Sequence, residues 1–527
     1  MQPAKRNNLD DMTMSRATDV LVIGGGPAGA WAAIAAAAEG RSVVLVDKGF
    51  LGTSGATAPS NTGTWCVPPG PGRAEAAQKR AARAGGLADP EHGERVLATA
   101  YAGLLQLQAQ GYGFPRLEDG TPYLANLRGP DYMRFMRREV KGAGVTVLDH
   151  HPALGLLADA HGVGGATGID RQRNLPWRIT ASAVVLAAGG CAFGERMLGA
   201  TGLTGDGYLL AAEAGARLSG MEFSAQYGVA PAHTSLNKGL IYRWARFFDA
   251  DGRVLDVQGD RHAAIAKAMR SGPVFASLDK ADADIQAWLR HGQPNCFLPF
   301  DRQGIDPFSD RFEVTLRCEG TVRGIGGVRL RDEHGATDVP GLYAAGDTAS
   351  RELLTGAISG GGGPNASWAI ASGQWAGRGA ARHAGALGRK ANARSFAVAA
   401  DTAASKGPDS AEIVAAVRAH MLPPDRHFYR NAASLAEASA TFDELWQADA
   451  PASGDAQTLL RQREARALLA TSRWSVASAQ LRRESRGIHR RADATESTPD
   501  GERRIQSSGL GQAHAAWSTS QRQREAA

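Results

Sequence analysis

The chain has 527 residues, of which 43% are apolar and 21% charged; this excludes wholesale disorder and leaves room for three or four domains with a large buried core. Glycine is in excess, at 65 residues or about 12% against a usual 7% or so, with no collagen-like period, so the surplus belongs to ligand loops and tight turns. The net charge of +6 sits almost wholly at one end: residues from Pro451 to Ala527 hold 13 arginines, no lysine and 8 acids, without the aromatic interleaving or module that nucleic-acid binding needs, so these arginines read as a solvated face.

Met1–Ala17 reads as a polar leader. Val20–Ala38 is uncharged for 19 residues, but Gly24, Gly25, Gly26 and Pro27 split it into a strand and a buried helix, and the reading is of no membrane span. Asp19–Lys48 is then strand, turn, helix and strand: a continuous apolar run, an alanine-dense helix Ala28–Glu39 stopped by Gly40, and a β-branched second strand. Helical patterns follow at Glu91–Gln110 and Tyr132–Gly142, then a short strand after Gly144. An apolar strand ends in the glycines before Cys191, and a helix covers Gly207–Gly215. From Ser224 to Val322 aromatics and prolines increase and the alternation becomes irregular, the texture of an inserted domain. Gly341–Asp347 returns to a strand ending in glycine and acid, and a glycine block leads into a helix from Ala366. Lys390–Asp409 reads as a linker, Ala411–Arg490 as helical and Ala492–Ala527 as a polar tail. Cys66, Cys191, Cys296 and Cys318 lie far apart with no CxxC spacing; no metal site is expected, and the thiols fit a reduced, cytoplasmic protein.

Gly24, Gly26 and Gly29 form GxGxxG directly between a strand and a helix. The three positions serve a tight turn, backbone approach to a pyrophosphate and close helix–strand packing, while the helix N-terminus faces the phosphates. Asp47 stands 18 residues after Gly29 at the end of the second strand, where an acid binds a ribose hydroxyl. Gly346 and Asp347 end a distant strand in the same manner. An extended FAD spans both halves of such a fold, whereas NAD needs no second element.

The stretches DVLVIGGGPAG with LVDK, then SGAT, LAAGG, TGDGYLLAAEAGARLSGMEF, GIGGV, VPGLYAAGD and LRRESRGIHRR occur in that order between Asp19 and Arg491. In them the chain resembles the flavoprotein family of succinate dehydrogenase and fumarate reductase, including L-aspartate oxidase and the adenylylsulfate reductase flavoprotein subunit. The resemblance implies an α/β fold with a two-piece Rossmann-like FAD-binding domain (17–223 and 323–390), an inserted α+β capping domain (224–322), a C-terminal helical domain (405–491) and a polar tail (492–527). It implies FAD contacts from Gly24, Gly26, Pro27, Ala28, Gly29, Asp47 and Lys48. Others would come from Ser54, Gly55, Ala56, Ala188, Gly189, Asp206, Gly346 and Asp347. Asn365 and Ser367 open the helix after the glycine block, as helix caps or as flavin contacts.

The chain also departs from the family. A histidine that grips a substrate carboxylate just before the GG of the last FAD segment is replaced by Val322. The basic residue of the glycine-rich stretch is missing between Gly356 and Ala366, and the histidine after MEF is replaced by Gln226 or Tyr227. The capping-domain arginine that acts as proton donor in the family has Lys267 as its nearest counterpart. Lys267, Arg323, Tyr227 and Glu222 are therefore the candidate catalytic residues, with a surface role open for Arg323 and a structural one for Glu222. A desolvated carboxylate needs paired cations or donors, so the expected substrate of this FAD-dependent oxidoreductase is a small organic molecule other than a C4 dicarboxylate. The alternative is a flavoprotein subunit that docks a separate iron–sulfur partner, an electron-acceptor protein, through the arginine-rich end. Covalent members of the family attach flavin to a histidine in the stretch matching SGAT. No histidine precedes His92 here, so the FAD is expected to be noncovalent. Acid precipitation should leave the yellow colour in the supernatant; colour in the pellet would overturn this.

Overall fold

The computed structural model describes residues 13–59, 61–117, 119–237, 239–359, 361–388, 394–399, 408–448 and 454–518. The first unit is strand β1 (Met14–Ile23), helix α1 (Pro27–Ala38) and strand β2 (Val43–Val46), with β1 and β2 parallel. The strand starts earlier than the expected leader ends: Met14–Ala17 pair with Trp177–Thr180, because the neighbouring strand Leu175–Leu186 is twelve residues long and offers partners along that length. Residues 1–12 of the leader lie outside the described residues.

An eight-stranded sheet results. Its order runs Ala397–Val398, Ala153–Asp159, Gly162–Asp170, Leu175–Leu186, β1, β2 and Thr146–Leu148, with Leu342–Ala344 added in parallel to Leu175–Leu186. The sheet thus joins the two halves of the FAD-binding domain: Leu342, at the second half's strand, pairs with Val184. Val20, Leu21 and Val22 have no exposed surface, which is why they form an unbroken apolar run. α1 is alanine-rich for a specific reason. It lies against helix Gly362–Leu387 so closely that a Cβ on Gly377 would fall 2.2 Å from the Ala32 carbonyl oxygen. That helix begins at Gly362, four residues before the position expected from sequence.

The insertion folds as a cap over a second sheet, four antiparallel strands in the order Tyr227–Pro231, Phe312–Cys318, Val274–Ser277 and Arg246–Phe248. Helices Arg261–Ala268 and Ala283–Gly292 complete it. Its far rim touches the FAD-binding domain through Asn61, which donates to the Gly292 carbonyl at 2.5 Å, and Asn295, which donates to the Pro59 carbonyl at 3.2 Å.

The C-terminal region departs most from expectation. Helices Ser410–Met421, Ala432–Gln447 and Ala456–Leu481 form, but the helical run stops at Leu481 rather than Arg490. Beyond it the arginines are not a solvated face: Arg482, Arg486 and Arg491 are buried, as are Arg430 and Arg473. They are buried because each finds acids or carbonyls; Arg482 alone meets Glu222 at 2.9 Å, Glu484 at 2.9 Å and the carbonyls of Gly501 and Arg503. The polar tail is also structured. Ile505–Ser508 and His514–Trp517 form a hairpin that pairs with Leu218–Ser219. The expected linker falls largely on 389–393 and 400–407, outside the described residues, as does the end of the chain from 519.

Where this hairpin meets the FAD-binding domain, two carboxyls are buried together. Burial, and then the neighbouring Glu222 carboxylate, raise Glu352 to about 7; burial also raises Glu222 against the pull of Arg482. One oxygen of each has no hydrogen-bond partner, while Ser219 donates to the other oxygen of Glu352. A carboxyl raised in the folded state favours folding below its unfolded pKa and ceases to do so as pH climbs through the folded value. Glu352→Gln should therefore raise the melting temperature at pH 8 by about 2 °C or more and change it little at pH 5. An equal shift at both pH values, read by thermal denaturation, would refute the raised Glu352 carboxyl.

Candidate active site

A single cleft of about 1410 Å³ runs between the glycine turn, the cap and the start of helix Gly362–Leu387. Its floor is built as the sequence suggested. Gly24 (φ +115°) leaves no room for a side chain, since a Cβ would fall 2.3 Å from the Ala187 carbonyl oxygen. Gly29 does not line the cleft; it packs behind it, where a Cβ would sit 1.8 Å from the Gly24 carbonyl oxygen. At Gly26 the only neighbour within 4 Å of a Cβ would be the Gly55 Cα, at 3.8 Å, so its backbone is open to the cleft. α1 starts without a side-chain cap and with Pro27 in its first turn, which leaves its N-terminal dipole to a ligand.

Pro27, Ala28, Asp47, Lys48, Ser54, Gly55, Ala56, Ala188, Gly189, Asp206, Gly346, Asp347 and Asn365 all line the cleft. Several are organised by one another. Asp47 accepts from the Gly25 N–H at 2.5 Å, the Gly49 N–H at 2.7 Å and the Ser54 hydroxyl at 2.5 Å, which ties the glycine turn to the SGAT loop. The Lys48 ammonium donates to Asp206 at 2.7 Å and Glu464 at 2.8 Å. Asn365 is the exception: both of its polar side-chain atoms are buried without a partner. Ser367 is not at the site. It lies inside the helix rather than at its cap and faces Trp65, accepting from that residue's N–H at 2.9 Å.

These features fit a large dinucleotide. The floor has bare backbone at Gly26, a free helix N-terminus and an orphaned amide at Asn365, and the cleft exceeds the size of most small-molecule pockets, about 300–1,000 Å³.

The candidate catalytic residues divide. Tyr227 and Arg323 line the cleft, but the Tyr227 hydroxyl donates to the Leu422 carbonyl at 2.9 Å, and Arg323 is ion-paired with Glu319 at 2.7 Å. Glu222 does not reach the cleft; it is fully buried against Arg482. Lys267 is exposed and also outside the cleft. It stands six positions along its helix from Arg261, about 240° around the axis, and it is Arg261 and His262, at the start of that helix, that line the cleft. Burial, then neighbouring Arg243, lower the Arg261 pKa. Arg243, Tyr242 and Trp288 also line the cap side, and Val322 lines the cleft at the junction with the FAD-binding domain. The sequence held one signal for Arg261: Asp260 is a helix N-cap, which puts the next residue in the first turn.

Arg351 is a second residue that sequence reasoning passed over. Its guanidinium is 1% exposed, bonds Asp347 and donates to the carbonyls of Thr321 and Gly324, each at 2.7 Å. It fixes the turn that carries Val322 and Arg323.

A dinucleotide floor under an inserted cap defines a flavin-dependent oxidoreductase, and FAD is its cofactor. Comparison with known proteins agrees. A family described as FAD binding domain matches residues 19–243, and one described as fumarate reductase flavoprotein C-term matches residues 422–523. The L-aspartate oxidase of Mycobacterium leprae is 29% identical over 92% of this chain and 94% of its own. One subunit of the fumarate reductase (CoM/CoB) of Methanothermobacter marburgensis is 25% identical over 92% of this chain and 96% of its own. Among solved structures, the FrdA chain of a mutant E. coli quinol fumarate reductase superposes with a TM-score of 0.81 at 20% identity, covering 96% of this chain and 97% of that one. These matches support the succinate dehydrogenase and fumarate reductase flavoprotein family for this chain. No described helix is long and apolar enough to cross a membrane.

Gly26→Val and Gly29→Ala should fail differently. The first projects into the cleft and should give a folded protein with less than about one-tenth of the normal flavin; the second strikes the Gly24 carbonyl and should cost several kcal/mol or more of stability. Flavin-to-protein ratio and circular dichroism measure both. A Gly26→Val protein with full flavin would mean that this turn is not the phosphate site.

Proposed function

We propose that the protein transfers hydride between its flavin and a small organic acid that is not a C4 dicarboxylate. The observation that carries this reading is the asymmetry of charge in the cleft. On the FAD-binding side, Val322 and the glycines Gly361 and Gly363 stand where the family's carboxylate grips are expected, and Arg323 is neutralised by Glu319. On the cap side, Arg243 and Arg261 have no acidic partner among the described residues. The positions of the family's grips thus carry no cation, while the cap side offers two, an arrangement that suits one carboxylate held from the cap.

When bound, the flavin supplies two-electron hydride chemistry at N5. The chain supplies the rest. Arg261 is the residue we assign to the substrate's proton transfer, in the role first expected of Lys267. A guanidinium that burial and a like charge push toward its neutral form releases a proton more readily than an exposed one. Arg351 holds the turn through which Val322 lines the cleft. The four cysteines form no disulfide, which supports a reducing, cytoplasmic compartment.

A second reading, a flavin subunit that passes electrons to an iron–sulfur partner, is favoured by the relative named as a subunit. Its docking face is not the arginine cluster after Leu481, whose Arg482, Arg486 and Arg491 are buried.

Stopped-flow mixing of oxidised or photoreduced protein with fumarate, succinate and L-aspartate should give no rapid saturable flavin bleaching or reoxidation. Two absent charge-assisted contacts weaken transition-state binding by a hundredfold or more. With an organic acid that does react, Arg261→Gln should slow the flavin step by about a hundredfold, while Lys267→Gln stays within about twofold. Equal effects of the two changes would sink the assignment of Arg261.

A further inference from the structure

We propose that the cap half of the cleft is a binding subsite for an aryl monocarboxylate, whose carboxylate lies on Arg243, Arg261 and the Tyr242 hydroxyl and whose ring lies on Trp288. The proposal deepens the reading above and rests on it for the single charge.

Three independent features of the subsite specify its ligand. The first is charge. Arg243 and Arg261 face the same space, on the segment before strand Arg246–Phe248 and at the start of helix Arg261–Ala268. The acid on that side of the cleft, Glu319, is already engaged by Arg323 at 2.7 Å and by the Asn237 amide at 2.6 Å. The arginines therefore lack a protein counter-ion among the described residues, and like charges held together in a cleft call for an anion.

The second is an unmet donor. Tyr242 is 1% exposed, lines the cleft, and its hydroxyl has no hydrogen-bond partner. A buried phenol left without a partner costs free energy that a carboxylate or carbonyl oxygen would recover. It is adjacent in sequence to Arg243, so one ligand group can reach both.

The third is the apolar mouth. Leu117, Tyr123 and Trp288 are 49%, 40% and 54% exposed, and all three line this cleft. They come from two domains. Leu117 and Tyr123 belong to the FAD-binding side, and Trp288 to the cap helix that Asn61 latches through the Gly292 carbonyl. Trp288 is backed edge-on by Trp244, with ring centroids 6.1 Å apart, which keeps its outer face toward the cleft side. Exposed apolar groups converging on one cleft mark a ligand groove. A flat indole face selects an aromatic ring over an aliphatic chain. Val322 and Gly363, at the positions expected to grip a second carboxylate, carry no charge.

The test uses the full, flavin-loaded chain and isothermal titration calorimetry with trans-cinnamate, cinnamamide and fumarate as probes. Cinnamate should bind saturably at one site per chain. Removing its charge in cinnamamide should raise Kd at least tenfold, as should Trp288→Ala and Arg261→Gln, with Trp288→Phe recovering most of the loss. Flavin-to-protein ratio checks that each variant is intact; if a variant loses flavin, the three probes on the unaltered protein decide alone. No cinnamate binding, or cinnamate no tighter than cinnamamide, overturns the subsite. So does an unchanged Kd in an intact Trp288→Ala protein. These results leave the function proposed above standing so long as fumarate fails to bleach or reoxidise the flavin. Fumarate binding more tightly than cinnamate and turning over would overturn both.

Discussion

Two buried guanidinium groups pin the cap at the points where the chain passes into it and out of it, and the cleft depends on them. Arg430 donates to the Glu222 carbonyl at 2.5 Å and to the Ser224 hydroxyl at 3.1 Å, beside the point of entrance. Arg351 grips Thr321, Val322 and Gly324 at the exit. Each is 1% exposed. A charge so far from water needs acceptors for most of its donors, so the surroundings are constrained in turn; of these donors the Arg430 Nε–H is the one left without a partner among the described residues. His489 accepts from Arg430 at 2.8 Å through Nδ1 and donates through Nε2 to the Arg482 carbonyl at 3.0 Å. Burial, then the Arg430 charge, hold His489 and His427 well below the ordinary histidine range. Both imidazoles are neutral at physiological pH, which suits a ring that must accept from an arginine.

The pinned hinge and the lighter rim contacts give the cap unequal ends. At the hinge, backbone carbonyls are held by charged donors inside the protein. At the rim, two asparagine side chains hold single carbonyls. Opening of the cleft is therefore cheapest by separating the rim, with the hinge as the fixed axis. The Asp260 side chain adds a third tether, since it caps helix Arg261–Ala268 and is bonded by Arg490 from the C-terminal region at 2.6 Å. The orientation of Arg261 is thus set partly by a residue more than two hundred positions later in the chain.

Much of the fold was legible because its signals are local. The strand–glycine–helix turn at Gly24–Gly29, the acid at Asp47 and the distant Gly346–Asp347 each declare themselves within a few residues, and all but Gly29 line one cleft. What was not legible depends on long-range compensation. The arginines after Leu481 read as solvated because nothing near them in sequence announces Glu222 or the carbonyls that accept from them. Lys267 was named and Arg261 passed over because a one-dimensional match ignores which face of the helix points into the cleft. Ser367 was placed at a cap because the helix start could not be located inside a run of glycines, where propensity argues against the four residues that nevertheless begin it.

The C-terminal hairpin has a consequence for biosynthesis. Ser219, at the edge of the segment leading to the cap, donates to the Ile505 carbonyl 286 residues later, and the Gly220 N–H does the same. During translation this edge waits on the order of tens of seconds for its partner. Until then Leu218, fully enclosed in the finished protein, has one side uncovered, and the Glu222 carboxylate lacks the guanidinium of Arg482. The dinucleotide floor also waits, since helix Gly362–Leu387 packs on α1 and strand Leu342–Ala344 completes the sheet beneath it. The base of the cap closes only after Ile505 has emerged, so the nascent chain carries an unfinished edge throughout the synthesis of the 286 residues that follow Ser219 up to Ile505.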